Sequence, residues 1–288
     1  MSNKLIQDIE NYQPKVGACA FWWLGQLGYI VKTKQATMCF DPFLSPWDGR
    51  TVDSFVAPEE LTGMDYIFGS HDHIDHIDHG AWPKIAKASP NARFVVPKKF
   101  VRDLSHELAI VEERFVGLDD DEVYYDAAKE IKITAIPSAH EFLARDPETG
   151  LHDSLGFIVD IGWTRCEDNR DNNERSCAHR PIRIYHSGDT TKYEGLETRL
   201  IGFRPIDLMF IPINGRDAAR YNRNCIGNMS FAEAVDLAGM VAPWLVVPGH
   251  YEMFVDNSED PQKFADYIKA KYPGQAYWIG NHAERVEL

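Results

Sequence analysis

The chain has 288 residues, 44% hydrophobic and 26% charged, with a formal net charge of −14. That length supports a sizeable core, and the acidic balance disfavours a general nucleic-acid binder, whose surface must neutralise phosphates. No apolar run reaches the roughly 18–20 residues of a membrane-spanning helix, the opening MSNKLIQDIENYQPK has no apolar stretch of the signal-peptide kind, and the five scattered cysteines form no Cys-x-x-Cys pair. Reduced thiols and a cytoplasmic setting are expected, with no membrane partner.

In chain order, the first predicted elements are strands at Ala20–Trp23, Tyr29–Thr33, Thr37–Phe40 and Tyr66–Phe68. Each is rich in aromatic or β-branched residues and bounded by turn signals. Phe21, Trp22, Trp23 and Tyr29 read as core rather than as a stacking platform. After the fourth strand comes SHDHIDHIDHG, Ser70–Gly80, with histidines at 71, 73, 76 and 79 and aspartates at 72, 75 and 78. His71 and His73, two apart at a strand end, can face the same side and clamp one ion. Asp75 and His76, on the turn that follows, can reach a second ion. Imidazole suits zinc and other first-row divalent metals, and carboxylate adds a hard ligand. The alternative for such a stretch is a solvated polar loop.

Further along, Phe94–Val96 predicts a strand and KKFVRDLSHEL a helix. Strands follow at Ile131–Ile136, Gly156–Asp160 and Ile182–Tyr185, the last two separated by a polar, aperiodic excursion at 165–181. Leu208–Ile211, Leu245–Val247 and Ala276–Ile279 complete the strands. Two late segments, SFAEAVDLAGMV and DPQKFADYIKAKY, have helical spacing, and Ser230 with Glu233 forms a capping-box pattern. Strands precede mixed strands and helices in both halves. The expectation is an α/β (α+β) chain, sheets covered by helices, in one domain over 1–288, rather than a simple alternating parallel sheet.

The run His71-x-His73-x-Asp75-His76 resembles the His-x-His-x-Asp-His signature of the metallo-β-lactamase superfamily. The resemblance implies an αββα sandwich of two mixed sheets with metals at one edge. It also implies further ligands, and residues of the right type occur in order: His140 in PSAHEF, Asp189 in YHSGDT and His250 in VPGHYE. By this resemblance His71, His73 and His140 bind one divalent ion, Asp75, His76 and His250 a second, and Asp189 bridges them. The ions would be zinc or manganese, or iron. Ions about 3.5–4 Å apart share and deprotonate a water, and Asp75 would orient that hydroxide and carry a proton to the leaving group. The segments WWLG, HDHIDHID and YHSGDT are similar to the L-ascorbate-6-phosphate lactonases; PSAHEF and FIPING are more similar to the N-acylphosphatidylethanolamine phospholipases D.

Other residues take supporting readings. Asp41 in CFDPF, by the same resemblance, orients a ligand histidine, or is a plain Asp-Pro turn. Asp78 either orients a ligand or caps the helix that follows. His186 either contacts substrate or makes a structural hydrogen bond. His282 is a lesser alternative to His250. In the segment from Ile213 to Ser230, Asn214, Arg216, Arg220, Tyr221 and Arg223 are candidates to bind a small anionic substrate, against a solvated loop with local ion pairs. The expected function is a binuclear metal-dependent hydrolase, leading candidate a lactonase on a sugar or sugar-acid phosphate. The alternatives are a phosphodiesterase and a non-catalytic metal-binding sensor, and homo-oligomerisation is left open.

Overall fold

In the computed structural model, residues 3–162 and 180–288 are described. The excursion expected at 165–181 lies outside them up to residue 179, as do Cys166 and Cys177. The N-terminal half contributes α1 (Lys4–Asn11), then the strands β1 (Cys19–Gly25), β2 (Gly28–Thr33), β3 (Thr37–Phe40) and β4 (Tyr66–Phe68). They are followed by α2 (Trp82–Ala88), β5 (Arg93–Pro97), α3 (Val101–Leu108) and β6 (Phe115–Leu118). The rest supplies β7 (Val123–Asp126), β8 (Ile131–Pro137), β9 (Leu155–Ile161), β10 (Ile182–His186), α4 (Leu196–Gly202) and β11 (Leu208–Pro212). After these come α5 (Ala218–Tyr221), α6 (Phe231–Val241), β12 (Leu245–Gly249), α7 (Pro261–Lys271) and β13 (Arg285–Glu287).

The strands form a seven-stranded sheet, in the order β13-β1-β2-β3-β4-β5-β6, and a six-stranded sheet, in the order β12-β11-β10-β9-β8-β7. Both are mixed: β3 through β6 run parallel, as do β10, β11 and β12, and the remaining pairs are antiparallel. The period of two along a strand sorts the first sheet's side chains. Phe21, Trp23, Tyr29, Val31, Met38, Phe40, Tyr66 and Phe68 enter the core between the sheets, which is shared with Phe157, Tyr185 and Phe210. Ala20, Trp22, Ile30, Cys39, Ile67 and Phe94 face the other way, onto Leu5, Ile6 and Ile9 of α1, Ile85 of α2 and Leu104 of α3. On the second sheet, Leu196, Leu200, Val235, Leu237, Phe264 and Ile268 of α4, α6 and α7 join the core from outside. The result is the α/β arrangement expected, two mixed sheets flanked by helices.

The capping box of α6 forms as expected: the Ser230 hydroxyl accepts from Glu233 N at 3.3 Å, and Glu233 Oε2 accepts from Ser230 N at 2.9 Å. One strand does not form. Ala276–Ile279 makes only an isolated bridge of Tyr277 to Val246, and Trp278 packs its ring against Phe21, 5.2 Å between centroids. Among the described residues no helix is long and apolar enough to cross a membrane.

The topology sets the functional edge. Strand β8 is antiparallel to β9, and β9 to β10, so β8, β10, β11 and β12 all end on one side of their sheet. The segments leaving β4, β8, β10 and β12 carry Ser70–His76, His140, Asp189 and His250.

Candidate metal centre

Two turns bring the sheets together at this edge. Gly188, at φ +58°, lies where a Cβ would fall 2.6 Å from the Ser70 Cβ and 2.8 Å from the Leu155 carbonyl. Only glycine permits both that backbone conformation and that approach. At Gly249 a Cβ would fall 2.6 Å from the Tyr29 hydroxyl and 2.8 Å from the Gln26 carbonyl. Three non-glycine residues here also adopt left-handed backbone: Gln26 (φ +51°), Asp41 (φ +40°) and His250 (φ +60°). Such strain persists only where surrounding contacts over-determine it.

The geometry gathers the sequence candidates into groups whose ligand-type atoms lie within 4.8 Å of one another: His71, His73 and His140; His71, His76 and Asp189; and Asp75, His76 and His250. In the first group His73 Nδ1 stands 2.9 Å from His71 Nε2 and 3.1 Å from His140 Nε2. In the others His76 Nε2 is 3.4 Å from Asp189 Oδ1 and 3.5 Å from Asp75 Oδ2. His250 Nε2 is 3.2 Å from Asp189 Oδ2 and 3.6 Å from Asp75 Oδ2. His140 Nε2 is 3.9 Å from Asp189 Oδ2. Asp189 thus touches both sides.

Whether a cation fits can be judged from the donors themselves. His76 Nε2 and Asp189 Oδ1 are buried, and neither has a hydrogen-bond partner. A buried polar atom left unpaired is costly, and here the two atoms sit side by side. Three imidazole nitrogens meeting at His73 likewise cannot all be satisfied by shared protons. Divalent cations would satisfy all of these atoms, and nitrogen with carboxylate oxygen is the donor set that zinc, manganese and iron accept.

Charge is unevenly spread. Burial works against the His76 imidazolium, yet Asp189, Asp75 and Asp41 outweigh it and hold its pKa well above the ordinary histidine value. His250 is raised on the same balance, burial opposing and Asp189 prevailing. Burial pushes His71 well below its ordinary value, aided by His76 and His140, and takes His140 down to about 4. Burial opposes the charge of Asp189 and Asp75 too, but His250 and His76 hold the first well below the usual carboxylate range, and His76 and His250 lower the second.

Asp41 stands behind His76. Its Oδ2 is 2.6 Å from His76 Nδ1 and accepts from the Ser70 hydroxyl at 2.7 Å, while Oδ1 accepts from Ser70 N at 2.9 Å. A carboxylate on Nδ1 fixes the tautomer and directs Nε2 into the site. Asp78 has a different task. Its Oδ2 accepts from Leu44 N and Ser45 N at 2.9 and 2.7 Å, and its Oδ1 from Gly80 N and Ala81 N at 3.0 Å. It ties a loop to the approach of α2 and contacts no ligand histidine among these bonds. Its reading as a histidine-orienting group is therefore corrected.

Among the expected substrate contacts, His186, Asn214, Arg216 and Arg220 have other partners. His186 is wholly buried, stacked on Phe40 at 5.1 Å. Its Nε2 donates to the Leu27 carbonyl at 3.0 Å and its Nδ1 accepts from Gly188 N at 3.3 Å, so neither nitrogen is left for a substrate. The loop after β11 does start beside the site, with Ile213 N donating to the Gly249 carbonyl at 3.1 Å, but Asn214 and Arg220 turn inward. Asn214 is buried between Asn257 and Asn228. Arg216 pairs with Glu233 through two nitrogens, at 2.7 and 2.8 Å. Arg220 donates to the carbonyls of Asn214, Gly215 and Ser258. Arg223 lies 4.0 Å from Asp256, and Tyr221 is half-exposed at the end of α5. Asn214, Arg216 and Arg220 thus build the loop, whereas Tyr221 and Arg223 stand exposed on it. His79 is exposed and paired with Asp72 at 2.6 Å, and His282 stacks on Trp23 at 3.9 Å, both outside the groups above.

Sequence reasoning missed Ser70 and Gln26. Ser70 heads the histidine motif and links Asp41 to it. Gln26 sits between Gly25 and Leu27 in a hairpin turn, wholly buried, with Nε2 donating to Asp75 Oδ2 at 3.0 Å. The only sequence signal for it is a long polar residue in an otherwise apolar hairpin.

Comparison with known proteins agrees with this layout. The profile of the beta-lactamase superfamily domain matches residues 37–251. A UPF0173 metal-dependent hydrolase of Pyrococcus furiosus is 25% identical over 86% of this chain and 92% of its own length. The UPF0173 metal-dependent hydrolase YtkL of Bacillus subtilis is 28% identical, over 90% of this chain and 95% of its own. Among solved structures, the metallo hydrolase Igni18 of Ignicoccus hospitalis superposes with a TM-score of 0.68, covering 94% of this chain and 98% of its own. At 18% identity that is a likeness of fold.

Proposed function

The chain belongs to the metallo-β-lactamase superfamily, and from that membership we propose that it is a metal-dependent hydrolase of carboxylic esters, with a lactone as the leading substrate. The observation that carries the reading is the meeting of His71, His73 and His140 with Asp75, His76 and His250 around Asp189. One ion would be held on each side of Asp189. Bound there, two divalent ions would supply a water of lowered pKa and polarise the substrate carbonyl. Asp75, partly open to solvent at 13% exposure, is the side chain placed to take the proton of the attacking water. As the carbonyl–oxygen ester bond breaks, the same carboxyl group returns the proton to the departing alkoxide. His76 is held in one tautomer by Asp41 throughout.

The phosphate of a sugar-acid phosphate has no support from the 214–223 loop, whose Arg216 and Arg220 have internal partners. The reading therefore rests on the ester carbonyl and not on an anionic handle. Phosphodiester hydrolysis is the second reading, because the same ligands can hold attacking and leaving oxygens in line. It would add negative charge beside Asp75 and Asp189 without those arginines to offset it.

The test is turnover by protein carrying two equivalents of zinc or manganese, with a chelated control. A set of γ- and δ-lactones and an aryl ester are compared with bis-(p-nitrophenyl) phosphate. Metal-dependent hydrolysis of the lactones is expected. Turnover of the phosphodiester alone would reject the ester reading, and no turnover with both ions bound would reject the hydrolase.

A further inference from the structure

We propose that Gln26 is a positioning residue of this site, holding Asp75 through its amide N–H. The inference deepens the hydrolase reading above and rests on it. Three independent features support it. The first is conformation. Gln26 has φ +51° and directly follows Gly25 at φ +100°. Glycine or asparagine serves such a left-handed position better, so the turn by itself gives no reason for a glutamine.

The second feature is the side chain. It is wholly buried, and its Nε2 donates to Asp75 Oδ2 at 3.0 Å while lying 3.4 Å from His250 Nδ1. A carboxylate neighbour accepts only from N–H, which fixes the end of the amide that faces Asp75. The other end, Oε1, is buried and has no partner. A long polar side chain with one end bonded to the proposed proton carrier and the other end empty is not acting as filler, which an apolar residue would provide.

The third feature is the backbone. The Gln26 carbonyl accepts from His250 N at 2.9 Å and from Trp23 Nε1 at 3.0 Å. One residue of the first hairpin thereby fixes the main chain at His250 and the side chain of Asp75. Both belong to the same three-residue group with His76, and Gln26 makes no hydrogen bond to His71, His73 or His140, the other group. Its effect should fall on one ion and on proton handling, not on both ions alike.

Two variants separate these roles from folding. Gln26→Asn suits the left-handed backbone better but withdraws the amide by one methylene. Gln26→Met keeps the length and removes both polar ends. Each is titrated with zinc by calorimetry against a competing chelator, and kcat and KM are measured on the lactone or aryl ester that the wild type hydrolyses. For both variants, one of the two zinc equivalents should weaken about tenfold with the other unchanged. The kcat should fall at least tenfold, with KM within twofold. Either change in Gln26→Asn, at a wild-type melting temperature, upholds the proposal. Zinc affinities within twofold at both equivalents together with wild-type kcat overturn it. If the two-ion wild type hydrolyses nothing, the hydrolase reading fails and the zinc titration alone decides: a selective loss upholds the positioning role, and unchanged affinities overturn it.

Discussion

Asp41→Ala is expected to lower both the stability of the fold and its affinity for metal. Asp41 is wholly buried and accepts three hydrogen bonds, from Ser70 N at 2.9 Å, the Ser70 hydroxyl at 2.7 Å and His76 Nδ1 at 2.6 Å. Alanine strands the donors. The Ser70 hydroxyl can turn to donate to His71 Nδ1, 3.1 Å away, and accept from His76 Nδ1, 3.2 Å away, which leaves the Ser70 N–H unpaired. At about 1–3 kcal/mol for a buried unpaired donor, the loss is about 1–3 kcal/mol. Alanine at φ +40° adds about 1 kcal/mol of backbone strain. Against a total stability of about 5–15 kcal/mol, and about 2–4 °C per kcal/mol for a chain near this size, melting should fall by roughly 4–16 °C. Zinc affinity should fall by about tenfold to a hundredfold, since His76 loses the group that fixes its tautomer. Asp41→Asn keeps an acceptor oxygen and tolerates the backbone, so it should melt only a few degrees below wild type. Calorimetric melting of metal-free and zinc-loaded protein, with a chelator-competition titration, measures both effects. An alanine variant that melts within 2 °C of wild type and binds zinc equally would refute the claim that Asp41 orients His76.

Three other outcomes follow from the site. Asp75→Asn should lower kcat by about a hundredfold or more when compared at full loading with both ions; a normal rate in the fully loaded variant would remove Asp75 from the proton transfers. Zinc affinity should rise between pH 6 and 8, because His76 and His250 have raised pKa values in the metal-free protein and must release protons to bind. The same shifts stabilise the metal-free fold below the unfolded histidine value of about 6.5, and that contribution is lost as pH rises through the folded values; His71 and His140, shifted down, contribute stability that is lost as pH falls below about 6.5. Titrations in buffers of differing ionisation enthalpy would detect the released protons, and a pH-independent affinity with no release would contradict this charge distribution. Arg216→Ala and Arg220→Ala should leave ester turnover within threefold. The first should cost about 0.5–1 kcal/mol of stability, since its pair with Glu233 is about one-third exposed, and a tenfold rise in KM in either variant would restore a substrate role to the loop.

What the sequence makes legible follows the reach of each interaction. Most strands of the core and the group from His71 to His76 can be read because their signals are local: alternation, strand ends and ligand spacing; β6, four residues long, is missed although Phe115, Val116 and Leu118 are buried. Strand β7 is largely uncovered and β13 has three residues with both ends exposed, so neither carries the apolar alternation that reveals a strand. Helix α1 buries only Leu5, Ile6 and Ile9, in eight residues, too short a pattern to stand out.

The side chains misread at the site fail for one shared reason: an arginine, histidine or aspartate announces its charge in the sequence, but not its partner. Glu233 reads as half of a capping box, and it is that; its carboxylate also takes both nitrogens of Arg216, seventeen positions earlier. His186 and Asp189 share one turn, yet His186 ends strand β10 and stacks in the core on Phe40, whereas the left-handed Gly188 carries Asp189 out to the histidines. Gln26 lies forty-nine positions from Asp75 and has no motif of its own. Its significance rests on two measurements available only in three dimensions, a 3.0 Å hydrogen bond to that carboxylate and an amide oxygen buried without a partner. A metal site written in short local motifs thus depends for its alignment on residues whose role is fixed entirely by long-range contacts. Substitutions at Gln26 and Asp41 should therefore alter metal binding as surely as substitutions at some of the histidines, though no spacing rule points to them.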